Sequence, residues 1–320
     1  MTTQTATLPP ASSRPVRVMH NPLVRWDGDP CDLPRISIVT ACLNHADYLE
    51  ATLQSILGQG YPNLEYVVMD GGSTDGSLDI IARHEDYLTH WESRPDDGQY
   101  HAIQRGFELT TGELMLWLNA DDMLHRNALW TIVDMFRQLP QVEWVIGMPT
   151  EYDVFGRAMA TTARNRWSRL GYLRGDHGTI QQESVVWRRS LWERAGGCLD
   201  TSYNLAADVE LWMRFFRHAP LYTALTFIGG FRKVPGQRSR RHRDVYQAEV
   251  ERIMQREPLT AGDAAALARS RRFDRLWLRL PLSRRSWRVQ RTYERLFEYP
   301  PVITYNAERR AFELREDECP

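Results

Sequence analysis

The sequence predicts an α/β domain on a mainly parallel sheet with helices on both faces, followed by a basic, mostly helical C-terminal extension. Two observations carry that prediction. Short apolar runs alternate with segments of helical periodicity, and brief polar connections join them. Three of the runs also deliver polar residues to one rim: Thr40 to Asn44, Asp70 to Asp75, and Asn119 to Asp122. In open α/β sheets that rim, outside the carboxyl ends of the strands, is where ligands bind.

The elements follow in order. Residues 1–34 are rich in proline and polar residues, which suits a flexible arm. Ile36, Ile38 and Val39 form a first strand, left by a polar loop from Thr40 to His45. Asp47 can cap the next helix, whose inner face is Leu49, Leu53, Ile56 and Leu57, with Gly58, Gly60 and Pro62 ending it. Leu64 to Met69 is a second strand, and Asp70 opens the turn Gly71 to Gly76. Leu78, Ile80 and Ile81 mark a helix, and Pro95 to Tyr100 opens another that buries Ile103 and Phe107. Leu114 to Leu118 is the third strand, Arg126 to Gln138 a helix and Trp144 to Ile146 the fourth strand. Further on, Glu183 to Trp187 and Leu221 to Ile228 read as strands, Ser190 to Ala195 and Asp208 to His218 as helices. Near residue 255 the composition turns arginine-rich, which bounds a domain at 35–255 and a C-terminal segment at 256–320.

Composition narrows the function. With 42% hydrophobic and 25% charged residues and a formal net charge of −1, the chain has no global field that would draw it to nucleic acid. Cys31, Cys42, Cys198 and Cys319 have no metal-ligand spacing, so they read as reduced thiols of a cytoplasmic protein. No signal-peptide core and no membrane-spanning apolar run is present.

Local chemistry leaves alternatives open. Asp121 and Asp122 repel one another unless a cation intervenes, and a hard divalent ion takes such carboxylates together with substrate phosphates. The same pair also suits a solvated turn with a helix cap. Asp70 can accept a hydrogen bond from a nucleobase, with Gly71 allowing close approach, or simply shape an Asx-turn. Asp208 and Glu210 begin a helix, where Asp208 can act as a general base or as a cap.

Taken together and in order, these segments resemble family 2 glycosyltransferases, inverting enzymes with the GT-A fold. Ile36-Ser37-Ile38-Val39-Thr40 with Asn44 is similar to the family's opening strand and T-x-x-x-N loop. Asp70-Gly71-Gly72-Ser73-Thr74-Asp75-Gly76 resembles its D-G-G-S-T-D-G turn. Pro95-Asp96-Asp97-Gly98 with Tyr100, Ala102 and Gly106 resembles its third motif. Leu118-Asn119-Ala120-Asp121-Asp122 resembles one form of its D-x-D motif, and Ala206-Ala207-Asp208-Val209-Glu210-Leu211 the segment that carries its base.

The resemblance implies transfer of a sugar from a nucleoside diphosphate sugar, a UDP-sugar first among the candidates, to a hydroxyl of a glycan or glycolipid acceptor. It implies Mn2+ or Mg2+ bound by Asp122. It implies donor contacts from Thr40, Asn44, Asp70, Gly71, Asp96, Gly98, Asn119, Ala120 and Asp121, and Asp208 as base with Glu210 as second choice. Cell-surface polysaccharide assembly at the inner membrane face would suit it. Leu43 and Val234 stand where many members have Tyr and His, and Arg232, Lys233, Arg238 and Arg240 could support the diphosphate instead. Two rivals remain: a nucleotidyltransferase on a related sheet, and a non-catalytic nucleotide-sugar-binding protein. The segment Arg269 to Arg295, with Trp277 and Trp287, could pack on the core or meet an anionic membrane.

Overall fold

The computed structural model describes residues 16–24, 28–161, 166–175, 180–237, 241–277, 292 and 295–316. At its centre lies β1 (Ile36–Cys42), flanked in parallel by β2 (Leu64–Asp70) and β4 (Leu114–Trp117). β3 (His90–Ser93) adds to β2 in parallel. Beyond β4 the direction changes: β9 (Val185–Arg188) runs antiparallel to both β4 and β6 (Trp144–Ile146), and β10 (Tyr222–Thr223) closes the edge. The result is a seven-stranded sheet in the order β10-β6-β9-β4-β1-β2-β3. Successive strand residues point to opposite faces, and six of the seven residues of β1 are buried, so that strand is covered on both sides.

Helices α1 (Ala46–Leu57), α2 (Ser77–Arg83), α3 (Gln99–Glu108) and α4 (Ala128–Gln138) supply much of that cover. They form because their apolar residues recur at helical spacing; in α3 these are Tyr100, Ile103 and Phe107. α3 lies so close to the sheet that a Cβ at Gly106 would come within 2.4 Å of Val39 Cγ1. Only glycine permits that approach.

The second half adds α5 (Arg169–Leu173), α6 (Arg189–Arg194), α7 (Ala207–Phe215), α8 (Arg243–Arg256) and α9 (Ala261–Trp277). α7 is seated by Trp212, whose ring stacks between Trp117 of β4 at 5.8 Å and Trp144 of β6 at 5.7 Å. Trp117, Trp144, Trp187 and Trp212 are all fully buried, and aromatic contacts of this kind exceed plain area burial by about 0.5–1.5 kcal/mol each. A second sheet of β5 (Met123–Leu124), β11 (Gly229–Arg232), β7 (Thr150–Tyr152) and β8 (Ala158–Thr161) runs in the order β5-β11-β7-β8.

Several sequence expectations change here. β1 continues through Thr40 to Cys42, and β4 stops at Trp117, one residue before Leu118. The run Leu221 to Ile228 is not one strand: β10 ends at Thr223, and the chain crosses to the second sheet as β11. The hairpin β7–β8 was hidden because β8 has no buried residue and so no alternation to read. Part of the N-terminal stretch is tied down, since Asn21 Nδ2 donates to Gln59 O at 2.8 Å and to Asn127 Oδ1 at 3.0 Å.

The C-terminal stretch contains a hairpin as well as helix. β12 (Val302–Asn306) and β13 (Ala311–Arg315) pair with each other, and the Leu225 N–H donates to Ile303 O at 2.8 Å. Buried Glu257 accepts from Arg217 Nε at 3.0 Å and meets Arg169 Nη1 at 2.8 Å, pinning the start of this segment to the core. Residues 278–291 and 293–294, with most of the arginine-rich run including Trp287, lie outside the described residues, as do Arg238 and Arg240. Among the described residues no helix is long and apolar enough to cross a membrane.

Candidate active site

The carboxyl ends of β1, β2 and β4 come together as expected. Asn44, at a φ of 55°, donates its N–H to Ser73 Oγ and accepts from the Thr74 N–H through Oδ1, both at 2.8 Å. Those bonds lock the β1 loop to the turn after β2. The turn in its own right is organised by Asp70, which is 2% exposed. Asp70 Oδ2 accepts from the Gly72 and Ser73 N–H groups and from Ser93 Oγ, and Oδ1 accepts from Ser73 Oγ. Asp70 thus anchors the turn, with four donors on its carboxylate. The Thr40 side chain also turns inward: it is fully buried, its hydroxyl 3.0 Å from Tyr66 OH.

Gly71 does face its partner motif, since a Cβ there would stand 3.0 Å from Asp96 Oδ2. Asp96 Oδ1 accepts from the Gly98 N–H at 2.9 Å, and Gly98 sits at φ 125°, a conformation that favours glycine. Just beyond, Gln99 Nε2 donates to Asn119 Oδ1 at 2.6 Å, joining α3 to the loop that follows β4.

In that loop the two aspartates differ sharply. Asp122 is 0% exposed. Its Oδ1 accepts from the Arg232 N–H at 2.9 Å and its Oδ2 from Asn119 Nδ2 at 3.0 Å. The Thr52 hydroxyl lies 2.8 Å from the carbonyls of both Ala120 and Asp122, fixing the loop from below; Ala120 is buried and offers no side chain to a donor. Burial pushes the Asp122 carboxyl well above the usual range, and the charges of Asp121 and Glu183 push it further. Both Asp122 oxygens serve the fold, so the expectation that this residue takes the ion does not fit its surroundings. Asp121 keeps partial exposure, with no side-chain partner beyond Gln237 and the nearby charges of His45 and Arg232. Its pKa is also raised, by burial.

α7 brings Asp208 to the same place. α7 has no side-chain N-cap. Glu249 of α8 holds the backbone that leads into it, accepting from the N–H groups of Asn204, Leu205 and Ala206 at 2.8, 2.8 and 3.0 Å. Asp208, in the first turn, accepts from the Val209 N–H through Oδ1 at 2.9 Å and lies 3.4 Å from Tyr100 OH through the same oxygen. Burial raises its pKa to about 6. Glu210 is spoken for: Arg214 grips both its oxygens, at 2.7–3.0 Å, and also reaches Cys198 O at 2.7 Å. That contact sets Glu210 aside as an alternative base.

One residue escaped the sequence reading. Glu183 lies in a short turn, Gln182–Ser184, that the apolar run after it disguised as a strand start. Gln182 Nε2 donates to Trp117 O at 2.6 Å and Ser184 Oγ to Gly229 O at 2.8 Å, wedging the turn between β4 and β11. Glu183 is 3% exposed, and its Oε1 meets no protein donor. Burial, with the charges of Asp121 and Asp208, raises its pKa to about 8. Glu183 therefore lies within electrostatic reach of Asp121, Asp122 and Asp208, the three carboxyl groups that the sequence had singled out.

A consequence can be measured. Glu183→Gln is expected to stabilise the ligand-free protein more as pH rises. Unfolded, the carboxyl ionises near 4.5; folded, it keeps its proton to about 8, so across that window ionisation weakens folding. The neutral amide has no such penalty. Thermal denaturation should show a gain of roughly 2–4 °C per kcal/mol at pH 8.5 and little at pH 4.5. Equal shifts at both pH values would remove the ionisation argument.

Among the described residues, no group of three or more His, Cys, Asp or Glu side chains is placed to hold a metal. Mg2+ and Mn2+ sites that share their coordination with substrate phosphates need only one or two carboxylates, and Asp121 meets that requirement.

Known proteins bear the same pattern. The model of the family described as glycosyl transferase family 2 matches residues 37–190. A PGL/p-HBAD biosynthesis glycosyltransferase of Mycobacterium tuberculosis is 32% identical over 202 residues, which covers 59% of this chain and 73% of that one. The crystal structure of S. aureus TarS 1–349 in complex with UDP-GlcNAc aligns over 73% of this chain and 70% of its own, with a TM-score of 0.58 at 15% identity. Another TarS crystal structure is covered over only 42% of its chain. The mannosyltransferase PcManGT from Pyrobaculum calidifontis, in complex with GDP-Man and Mn2+, aligns over 79% of this chain and 74% of its own, with a TM-score of 0.55 at 20% identity. The fold is therefore the GT-A fold that the sequence predicted. The chain belongs to family 2 of the glycosyltransferases.

Proposed function

We propose that this glycosyltransferase moves a sugar from a nucleoside diphosphate sugar to an acceptor hydroxyl with inversion, using Asp208 as general base. The observation that carries the reading is the state of Asp208: part-buried in the first turn of α7, 3.4 Å from Tyr100 OH, in no salt bridge among the described residues, and raised to about 6. Such a group is ionised at neutral pH yet basic enough to take a proton. It removes the proton of the acceptor hydroxyl as that oxygen attacks the anomeric carbon. The bond from the anomeric carbon to the diphosphate oxygen breaks on the opposite face.

Asn44, Gly71, Asp96 and Gly98 form the base and ribose side of the donor cleft, through loop shape and backbone more than through side-chain charge. Asp121, in place of Asp122, is the carboxylate for a divalent ion, Mn2+ or Mg2+, which when bound neutralises charge on the diphosphate. Support for the donor class comes from the neighbours, one in complex with UDP-GlcNAc and one with GDP-Man and Mn2+. The acceptor is a glycan or glycolipid made in cell-surface polysaccharide assembly, and the enzyme works in the cytoplasm at the inner membrane face. Support for a biosynthetic acceptor comes from the M. tuberculosis relative, a PGL/p-HBAD biosynthesis glycosyltransferase.

The test is thermal stability in the presence of UDP-, GDP- and dTDP-sugars, each with Mn2+, with Mg2+ and with EDTA. Ligands that bind only the folded state raise the melting temperature. At least one donor should do so, and more strongly with an ion. A flat response across the whole panel would overturn the reading.

A further inference from the structure

The end of β11 holds a buried cation with no acceptor for its guanidinium among the described residues. Arg232 is 2% exposed, and its Nε and Nη2 are both buried with no protein acceptor. Its guanidinium carbon lies 5.3 Å from the centroid of the partly exposed Tyr48 ring. Among the described residues, Arg105, Arg169, Arg174 and Arg252 also have an orphaned buried N–H. Each of those four has a salt bridge or another hydrogen bond through its guanidinium. Arg232 has neither.

Burying an unsatisfied donor is costly, more so when the group is charged, so two such donors on one guanidinium call for an explanation in the molecule's work. The position supplies one. The backbone N–H of Arg232 donates to Asp122 Oδ1 at 2.9 Å, and its carbonyl accepts from Gln237 Nε2 at 2.6 Å, which fixes the base of the side chain at the carboxylate loop. Asp122 and Asp121 stand near enough to help keep the guanidinium charged against its burial, yet its buried Nε and Nη2 meet neither carboxylate. A guanidinium fork with open donors matches the paired oxygens of a phosphate and can bind them bidentately.

We propose that Arg232 is a diphosphate-binding residue of the donor site, giving the enzyme a component of nucleoside diphosphate affinity that needs no divalent ion. The inference rests on the donor site proposed above and adds a second, built-in cation to it. Asp121 with its ion and Arg232 then approach the diphosphate as separate positive partners.

Titration calorimetry in EDTA tests this, with UDP and GDP as probes and uridine and guanosine as their phosphate-free controls. Wild-type protein should bind one diphosphate at least tenfold more tightly than its nucleoside. Arg232→Gln should lose that tenfold while nucleoside affinity stays unchanged. Should the Gln variant fail to fold, Arg232→Lys keeps the charge without the fork and should lose roughly threefold or more of the diphosphate preference. Equal losses of nucleoside and diphosphate would make Arg232 purely structural and overturn the proposal, as would no loss at all. Wild-type diphosphate binding that appears only with Mn2+ or Mg2+ would also overturn it, while leaving the proposed function intact. Absence of nucleotide binding even with those ions would instead fail the proposed function, and this inference with it.

Discussion

Asp208→Asn is expected to lower kcat by about 10²–10⁴ while leaving donor affinity within about twofold. The side chain is nearly isosteric, so the bonds from Val209 N–H and Tyr100 can largely persist, but the amide cannot accept the acceptor's proton. The pH profile carries the same information. Burial sets the Asp208 pKa at about 6, and the base must be ionised to work. Turnover should therefore rise as pH increases through about 6 and level off above it, and the rise should vanish in the Asn variant. Steady-state kinetics from pH 5 to 8 read both effects, and normal turnover in the variant would remove Asp208 from the chemistry. Glu210→Gln is the control: its carboxylate is gripped by Arg214, so its loss should act on stability before rate.

The second large effect separates the neighbouring aspartates. Asp121→Ala is expected to abolish the gain in donor binding that Mn2+ or Mg2+ brings, with little change in folding, since Asp121 gives no backbone support to the loop. Asp122→Ala should instead destabilise the protein, by roughly 1–3 kcal/mol for each stranded donor, because the Arg232 N–H and Asn119 Nδ2 both lose their acceptor. Melting curves with and without ion and donor distinguish the two. An ion response that survives Asp121→Ala would return the ligand role to Asp122.

The alternation of strand and helix, and the convergence of three polar strand ends, were legible because burial on both sheet faces writes itself as apolar runs. The direction of each polar side chain was not. Thr40 turns inward because β1 runs three residues further, to Cys42, than the polar residues suggest. Asp70 owes one of its four partners to Ser93, 23 positions away on β3, which no local pattern signals. Glu183 was masked by the valines and tryptophan after it. By contrast, the removal of Glu210 could have been foreseen, since Arg214 stands four residues on, at the spacing that brings side chains together on a helix.

The hold that Glu249 keeps on the backbone leading into α7 bears on how such enzymes can be recombined. The stretch shared with the family model ends at residue 190, ahead of Asp208, and the approach to α7 depends on a carboxylate 43 to 45 positions past the backbone it holds. A chimera that swaps acceptor halves by cutting soon after α7 would inherit the proposed base without the carboxylate that holds the backbone leading to it. The exchangeable unit must carry α8 as well, and with it Glu257, whose two arginine partners sit on opposite sides of that cut.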